Sequence, residues 1–138
     1  MPARDIFHNV VRNALEKDGW TITDDPLELS YGDRKVFADL GAERPIGAQK
    51  ADKQIAVEIK SFLGKSDIRE LELAIGQYNL YRAILKRTDP NRQVYLAIPR
   101  FSYEGVFSEP IGELLVEEQE LSIIVFDDQS GGIVKWIQ

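Results

Sequence analysis

Two carboxylates and one lysine are the residues of this chain best suited to chemistry. Asp39 lies near the end of the run Val36-Phe37-Ala38-Asp39-Leu40, and Glu58 and Lys60 close the run Gln54-Ile55-Ala56-Val57-Glu58-Ile59-Lys60. Alternate residues of a strand share a face, so Glu58 and Lys60 project together while Val57 and Ile59 pack on the other side. Burying a glutamate and a lysine for packing reasons alone is costly. Asp39, one hairpin earlier, is expected to converge on Glu58, with the charged groups about 4–7 Å apart. Two converging carboxylates suit a hard divalent cation, Mg²⁺ or Mn²⁺, which prefers oxygen ligands and keeps several waters. A lysine beside it can orient or deprotonate an attacking water and stabilise charge on a phosphate. These are the parts of a metal-dependent phosphodiester hydrolase. The alternative is a solvated strand end whose glutamate and lysine form an inert cross-strand ion pair.

The elements that must hold these groups are legible from periodicity. Asp5 to Lys17 carries apolar residues four apart (Ile6, Val10, Ala14 and Phe7, Val11, Leu15), a helix with Asp5 as its cap and Gly19 as its stop. Trp20–Thr23 and Leu27–Tyr31 read as strands around an Asp24-Asp25-Pro26 turn, with Gly32-Asp33 turning into the strand that ends at Leu40. A proline and two glycines between Gly41 and Gly47 predict a bend or bulge, and Ala51-Asp52-Lys53 a polar turn. A long helix opens at Ser66, capped by the Asp67/Glu70 box or by Ser66 itself, and stops near Thr88 before Asp89-Pro90. Its Ile68, Leu71 and Ile75 are expected to cover Ile55, Val57 and Ile59. Val94–Ile98 reads as a strand, Ile111–Glu120 as a shorter helix, and Leu121–Phe126 and Ile133–Ile137 as strands. The order gives an α/β fold with a mixed sheet in one domain, residues 1–138.

Composition narrows the chemistry. The chain has 138 residues, 43% hydrophobic and 29% charged, which is ordinary for one globular domain. No apolar run approaches the roughly 18–20 residues of a membrane helix, and the first residues lack a secretory apolar segment, so a cytoplasmic protein is expected. Cysteine is absent, which removes thiolate metal sites and a cysteine nucleophile. The one histidine, His8, argues against a His-rich metal site and reads as a capping or core-edge residue. The net charge of −6 opposes simple coating of DNA, leaving contact through a local basic rim and a metal. Arg82, Lys86, Arg87 and Arg92 form the one basic cluster, read equally as a solvated helix end or a phosphate rim. Phe101, Tyr103 and Phe107 are expected in a loop as an exposed patch for a partner.

The order helix, strands, Asp, strand, E-x-K, helix, strand resembles the core of the PD-(D/E)XK nuclease superfamily. Longer blocks narrow the resemblance. Met1-Pro2-Ala3-Arg4-Asp5-Ile6-Phe7-His8, Asp18-Gly19-Trp20-Thr21-Ile22-Thr23, Asp39-Leu40-Gly41-Ala42-Glu43, Ile55-Ala56-Val57-Glu58-Ile59-Lys60-Ser61-Phe62, Gly76-Gln77-Tyr78 and Tyr95-Leu96-Ala97-Ile98-Pro99 are similar to the XisH family. These are the cyanobacterial fdxN element excision controlling factors, and the similarity spans nearly the whole chain. The resemblance implies a restriction-endonuclease-like mixed central sheet flanked by helices. It also implies control of site-specific excision of a DNA element during heterocyst development, beside a small partner protein, XisI.

Carried over residue by residue, the resemblance makes Asp39, Glu58 and Lys60 the catalytic set, with Asp39 and Glu58 on the metal. It makes Gln77 a helix glutamine that can face the site. Two positions depart from the family. Gln49 stands where relatives have glutamate, and Asn9 follows His8 where relatives often have aspartate. If either lost carboxylate serves the metal, this chain binds it more weakly, and Glu43 is the group placed to compensate. Three functions compete: a Mg²⁺-dependent endonuclease acting on DNA in excision, a non-catalytic module that binds XisI or a recombinase, and a toxin- or restriction-like nuclease paired with its neighbour. A homo-oligomer, a dimer, is expected.

Overall fold

The computed structural model describes residues 5–46 and 51–138. α1 (His8–Lys17) stops at Gly19, whose φ of +96° side-chain-bearing residues resist. There the amides of Gly19 and Trp20 donate to the carbonyls of Glu16 and Leu15, which closes the helix end. β1 (Thr21–Asp24) follows directly.

The run ending at Leu40, expected as one strand, is two. β2 (Leu27–Tyr31) and β3 (Arg34–Ala38) pair as a separate antiparallel hairpin. β4 (Leu40–Ile46) belongs to the main sheet. Only Asp39 lies between them, so the candidate aspartate is the corner at which the chain changes sheets.

β4 also corrects the expected bend after Gly41. As far as Ile46 it is a strand, paired antiparallel with β5 (Ala51–Ile59) from Leu40 opposite Val57 to Ile46 opposite Ala51. Ala51–Lys53 therefore extend β5 and form no turn. Pro45 is tolerated because β1 pairs only with Gly41–Glu43 on the other side of β4, so no ladder partner there needs its missing N–H.

α2 (Asp67–Thr88) connects β5 to the parallel strand β6 (Arg92–Pro99). Ser66 is its cap, the hydroxyl accepting from the Arg69 N–H at 3.2 Å. Asp67 and Glu70 at its start and Lys86 and Arg87 at its end suit the helix dipole. β7 (Ile123–Phe126) runs parallel to β6, and β8 (Ile133–Ile137) antiparallel to β7, giving a mixed sheet of order β1-β4-β5-β6-β7-β8. α3 (Arg100–Glu104), a 3₁₀ turn (Val106–Ser108) and α4 (Pro110–Glu118) fill the stretch between β6 and β7. This replaces the loop expected over 101–107. Phe107 is buried edge-on against Phe62, Tyr103 is half-buried, and only Phe101 stays exposed.

Helices cover both faces of the sheet. Ile55, Val57 and Ile59 pack with Val11, Leu15 and Trp20 on the α1 side. Ala56 packs with Leu71, Ala74 and Tyr78 on the α2 side. This inverts the expectation that the long helix covers Ile55, Val57 and Ile59, and Ile68 is 48% exposed. In a strand buried on both sides, alternation separates the two faces without saying which helix takes which. The consequence is functional: Glu58, sharing a face with Ala56, lies on the α2 side.

Candidate functional site

The cleft forms where β5 ends. Asp39 is held at its corner by the Ile59 N–H, which donates to Oδ2 at 2.7 Å. Glu58 comes from the same strand end and is 5% exposed. Lys60 follows, its N–H donating to the Ala97 carbonyl and its Nζ 3.9 Å from Glu58 Oε2. From above, α2 contributes Gln77 and, one turn later, Tyr81, whose hydroxyl donates to the Phe37 carbonyl at 2.9 Å. Together with Asp5 and Phe37 these side chains line a polar cavity of about 150 Å³.

Asp5 is the member that sequence reasoning read only as a helix cap. It is not the cap: α1 starts at His8 with Phe7 in the cap position and no side chain capping it, and Asp5 Oδ1 accepts from the Phe7 N–H at 2.9 Å in the turn before the helix. Its Oδ2 also accepts from the Ser61 N–H at 3.0 Å, tying the N-terminal segment to the chain just beyond β5. That second bond spans 56 residues, and no local pattern signals it.

The electrostatics of the cleft are unfavourable to two free carboxylates. Burial first, and the Asp39 charge second, push the Glu58 carboxyl up to about 8, against the pull of Lys60. Asp39 is also held above the usual carboxylate range, by burial, with the Ile59 N–H and His8 opposing. Burial and Glu58 raise the Tyr81 phenol in turn. Glu58 Oε1 and Gln77 Oε1 are both buried without a hydrogen-bond partner among the described residues. Such a site can share a proton between its acids or hold a hard cation on its oxygens. Among the described residues no three His, Cys, Asp or Glu side chains gather into an all-protein metal cage. A cation there would rest on Asp39 and Glu58, the Gln77 oxygen and water. The orphaned oxygens fit that ligand set, because Mg²⁺ and Mn²⁺ take oxygen donors and Mg²⁺ retains waters.

The remaining candidates fall elsewhere. Asp39, Glu58, Lys60 and Gln77 share the cavity; Glu43 does not. Its ladder partner is Gln54, four residues back along β5 from Glu58, or about 13 Å at strand rise. The absence of the expected bend leaves it there, so it is not placed to compensate for a lost carboxylate. Gln49 lies outside the described residues. His8 is buried at the core edge, its Nε2 2.8 Å from Asp25, which Arg12 also binds. The basic cluster is at the opposite end of the sheet, where Arg92 pairs with Gln54 in the ladder. Two of its members are occupied internally, Arg82 on the Gln119 carbonyl and Arg92 on the Ile55 carbonyl.

Comparison with known proteins agrees with this architecture over nearly the whole chain. No curated protein matches the chain. A crystal structure of an XisH family protein from Nostoc punctiforme is 40% identical, with a TM-score of 0.86 over 97% of this chain and 100% of that one. A crystal structure of an fdxN element excision controlling factor protein from Anabaena variabilis is also 40% identical, with a TM-score of 0.88 over 98% and 100%. The family model described as XisH protein matches residues 1–134. This chain belongs to the XisH family.

Proposed function

We propose that this chain is a metal-dependent phosphodiester hydrolase acting on DNA, and that it serves as a controlling factor for excision of an fdxN-type element. The observation that carries the hydrolase reading is the cleft itself: Asp39, Glu58 and Lys60 line one polar cavity with a Glu58 oxygen that has no hydrogen-bond partner among the described residues. The order α1, β1, β4, β5, α2, β6, with the acids at the end of β5, supports a PD-(D/E)XK reading of the core. The excision role is extended from the Anabaena variabilis protein on 40% identity over nearly the whole length.

A bound Mg²⁺ would polarise a phosphoryl oxygen and make a water more acidic. Asp39 and Glu58 would hold it, Asp39 through the oxygen not committed to Ile59, and Glu58 through Oε1. The Gln77 side-chain oxygen would complete the set that holds it. Lys60, whose side chain is 20% exposed, holds the attacking water or offsets charge on the phosphate. Asp5 and Tyr81 fix the walls, one tying the segment before α1 to Ser61 and the other tying α2 to the hairpin.

The test is cleavage of DNA with Mg²⁺ or Mn²⁺, with and without a XisI-type partner. Lys60→Ala should abolish cleavage with the fold intact. Asp39→Asn should weaken it in a way that excess metal partly restores. Equal activity of wild type and both variants would overturn the reading. A second reading, a non-catalytic module for a XisI-type partner, is favoured by a different feature. A groove of about 660 Å³ between β8, α3 and α4 is lined by Tyr103, Phe107 and Trp136 together with the charged Glu113, Glu117 and Lys135. An inert wild type that binds its partner through this groove would select that reading.

A further inference from the structure

The outer face of α2 carries a pattern that the interior of the chain does not explain. Leu71, Ala74, Tyr78, Tyr81 and Leu85 face the core. On the opposite side, Leu73, Gly76, Leu80 and Ala83 follow one another at three- and four-residue steps, the spacing of a helix–helix seam. Leu73 is 52% exposed and Leu80 47%, among the larger apolar side chains left in water. Gly76 sits in mid-helix, where glycine costs about 1 kcal/mol relative to alanine. A Cβ added at Gly76 would meet nothing within 4 Å, so no contact within the described residues requires a glycine there. A close approach from outside the chain would.

We infer that this face is a two-fold interface with a second copy of the chain, formed by antiparallel pairing of the two α2 helices. With the axis level with Tyr78, Leu80 of one copy lies over Gly76 of the other, and Leu73 over Ala83. The same register sets Glu72 of each copy opposite Lys86 of the other, so the charges flanking the seam are complementary. Reversing the partner to a parallel arrangement would set Glu72 beside Gln77 and lose that match. Arg69 and Arg87 bound the seam at its two ends and limit the apolar contact to the four central layers. Gln77 adjoins Gly76, so both clefts border the paired helices. The inference does not depend on what the clefts do.

Two variants test it by sedimentation and light scattering at micromolar concentration. Gly76→Gln adds a helix-favouring side chain into open space in the single chain and a bulky one into the seam. The wild type should be a dimer, and Gly76→Gln should dissociate at least tenfold more readily while its helical circular dichroism is unchanged. The chain has no cysteine, so Glu72→Cys combined with Lys86→Cys reports orientation. Oxidation should link that double variant into covalent dimers, and neither single variant should match its yield. A wild type that stays monomeric, a Gly76→Gln dimer as tight as wild type, or a double variant that does not cross-link would each overturn the inference.

Discussion

Asp25 and Glu58 are both acids withdrawn from water, and the chain treats them in opposite ways. Asp25 receives a cation and an imidazole: Arg12 on one oxygen and His8 on the other, from two successive turns of α1. That cluster joins α1 to the turn between β1 and β2 and leaves the acid well supplied. Glu58 receives Lys60 at 3.9 Å on one oxygen, no hydrogen-bond partner among the described residues on the other, and a second acid, Asp39, as neighbour. A buried acid matched by donors contributes to holding the fold, whereas one set against another acid opposes it. The comparison teaches where to look for function. Within one small domain the unmatched acid, and not merely the buried one, marks the cleft.

The largest expected difference between the two clusters is in stability. Asp25→Ala strips the partner from both His8 and Arg12 and should cost roughly 2–4 kcal/mol, less than a fully buried broken pair because Arg12 reaches water. Chemical denaturation measures it directly. If Asp25→Ala is neutral, the Asp25 cluster is not the structural half of the contrast.

The next effect is a response to pH and metal. The folded-state value for Glu58, about 8, lies above its usual 4.5, so the folded protein keeps a proton that the unfolded chain has lost. The stability linked to Glu58 is therefore complete below about pH 4.5 and is lost as pH rises through about 8. In a chelator the melting temperature should fall across that window. At pH 8.5, Mn²⁺ at a hundred times its dissociation constant should restore about 2.7 kcal/mol. A melt flat with pH and indifferent to Mn²⁺ would remove the electrostatic half of the contrast.

A smaller effect has the opposite sign from Asp25→Ala. Glu58→Gln removes the like charge facing Asp39 and should raise the melting temperature at pH 8 by about 2–4 °C, on the scale of 1 kcal/mol for a domain of this size. Glu58→Gln should also abolish most of the fall with pH. Destabilisation by Glu58→Gln at pH 8 would mean that Glu58 is a structural acid after all.

Much of this arrangement was legible before the fold was known, and the rest was not for identifiable reasons. Asp39, Glu58 and Lys60 stand out because a two-residue period puts two charges on one face of an otherwise apolar strand. Which helix covers which face of that strand is not legible, because Ile55, Val57 and Ile59 would suit either helix equally. That assignment can be checked by a double-mutant cycle. Val57→Ala should cost roughly 1–3 kcal/mol and couple with Leu15→Ala on the α1 side, while its effect should add to that of Leu71→Ala on the α2 side. β4 was hidden by Gly41 and Pro45, whose turn chemistry is real but is overridden by pairing with β5. Asp5 was hidden because a cap is a complete local explanation for an acid before a helix. Gln77 was reached through family resemblance; in the fold, its place one turn before Tyr81 brings it over the cleft.

The central claim is that Asp39 and Glu58 hold a divalent cation between them. Isothermal titration of Mn²⁺ into the wild type, Asp39→Asn and Glu58→Gln at pH 8.5 tests it most directly. The expected result is one site per chain in the wild type and at least tenfold weaker binding in each variant, with Asp25→Asn binding like wild type if it stays folded. Mn²⁺ binding that is absent from the wild type, or that survives unchanged in Asp39→Asn and Glu58→Gln, would contradict it.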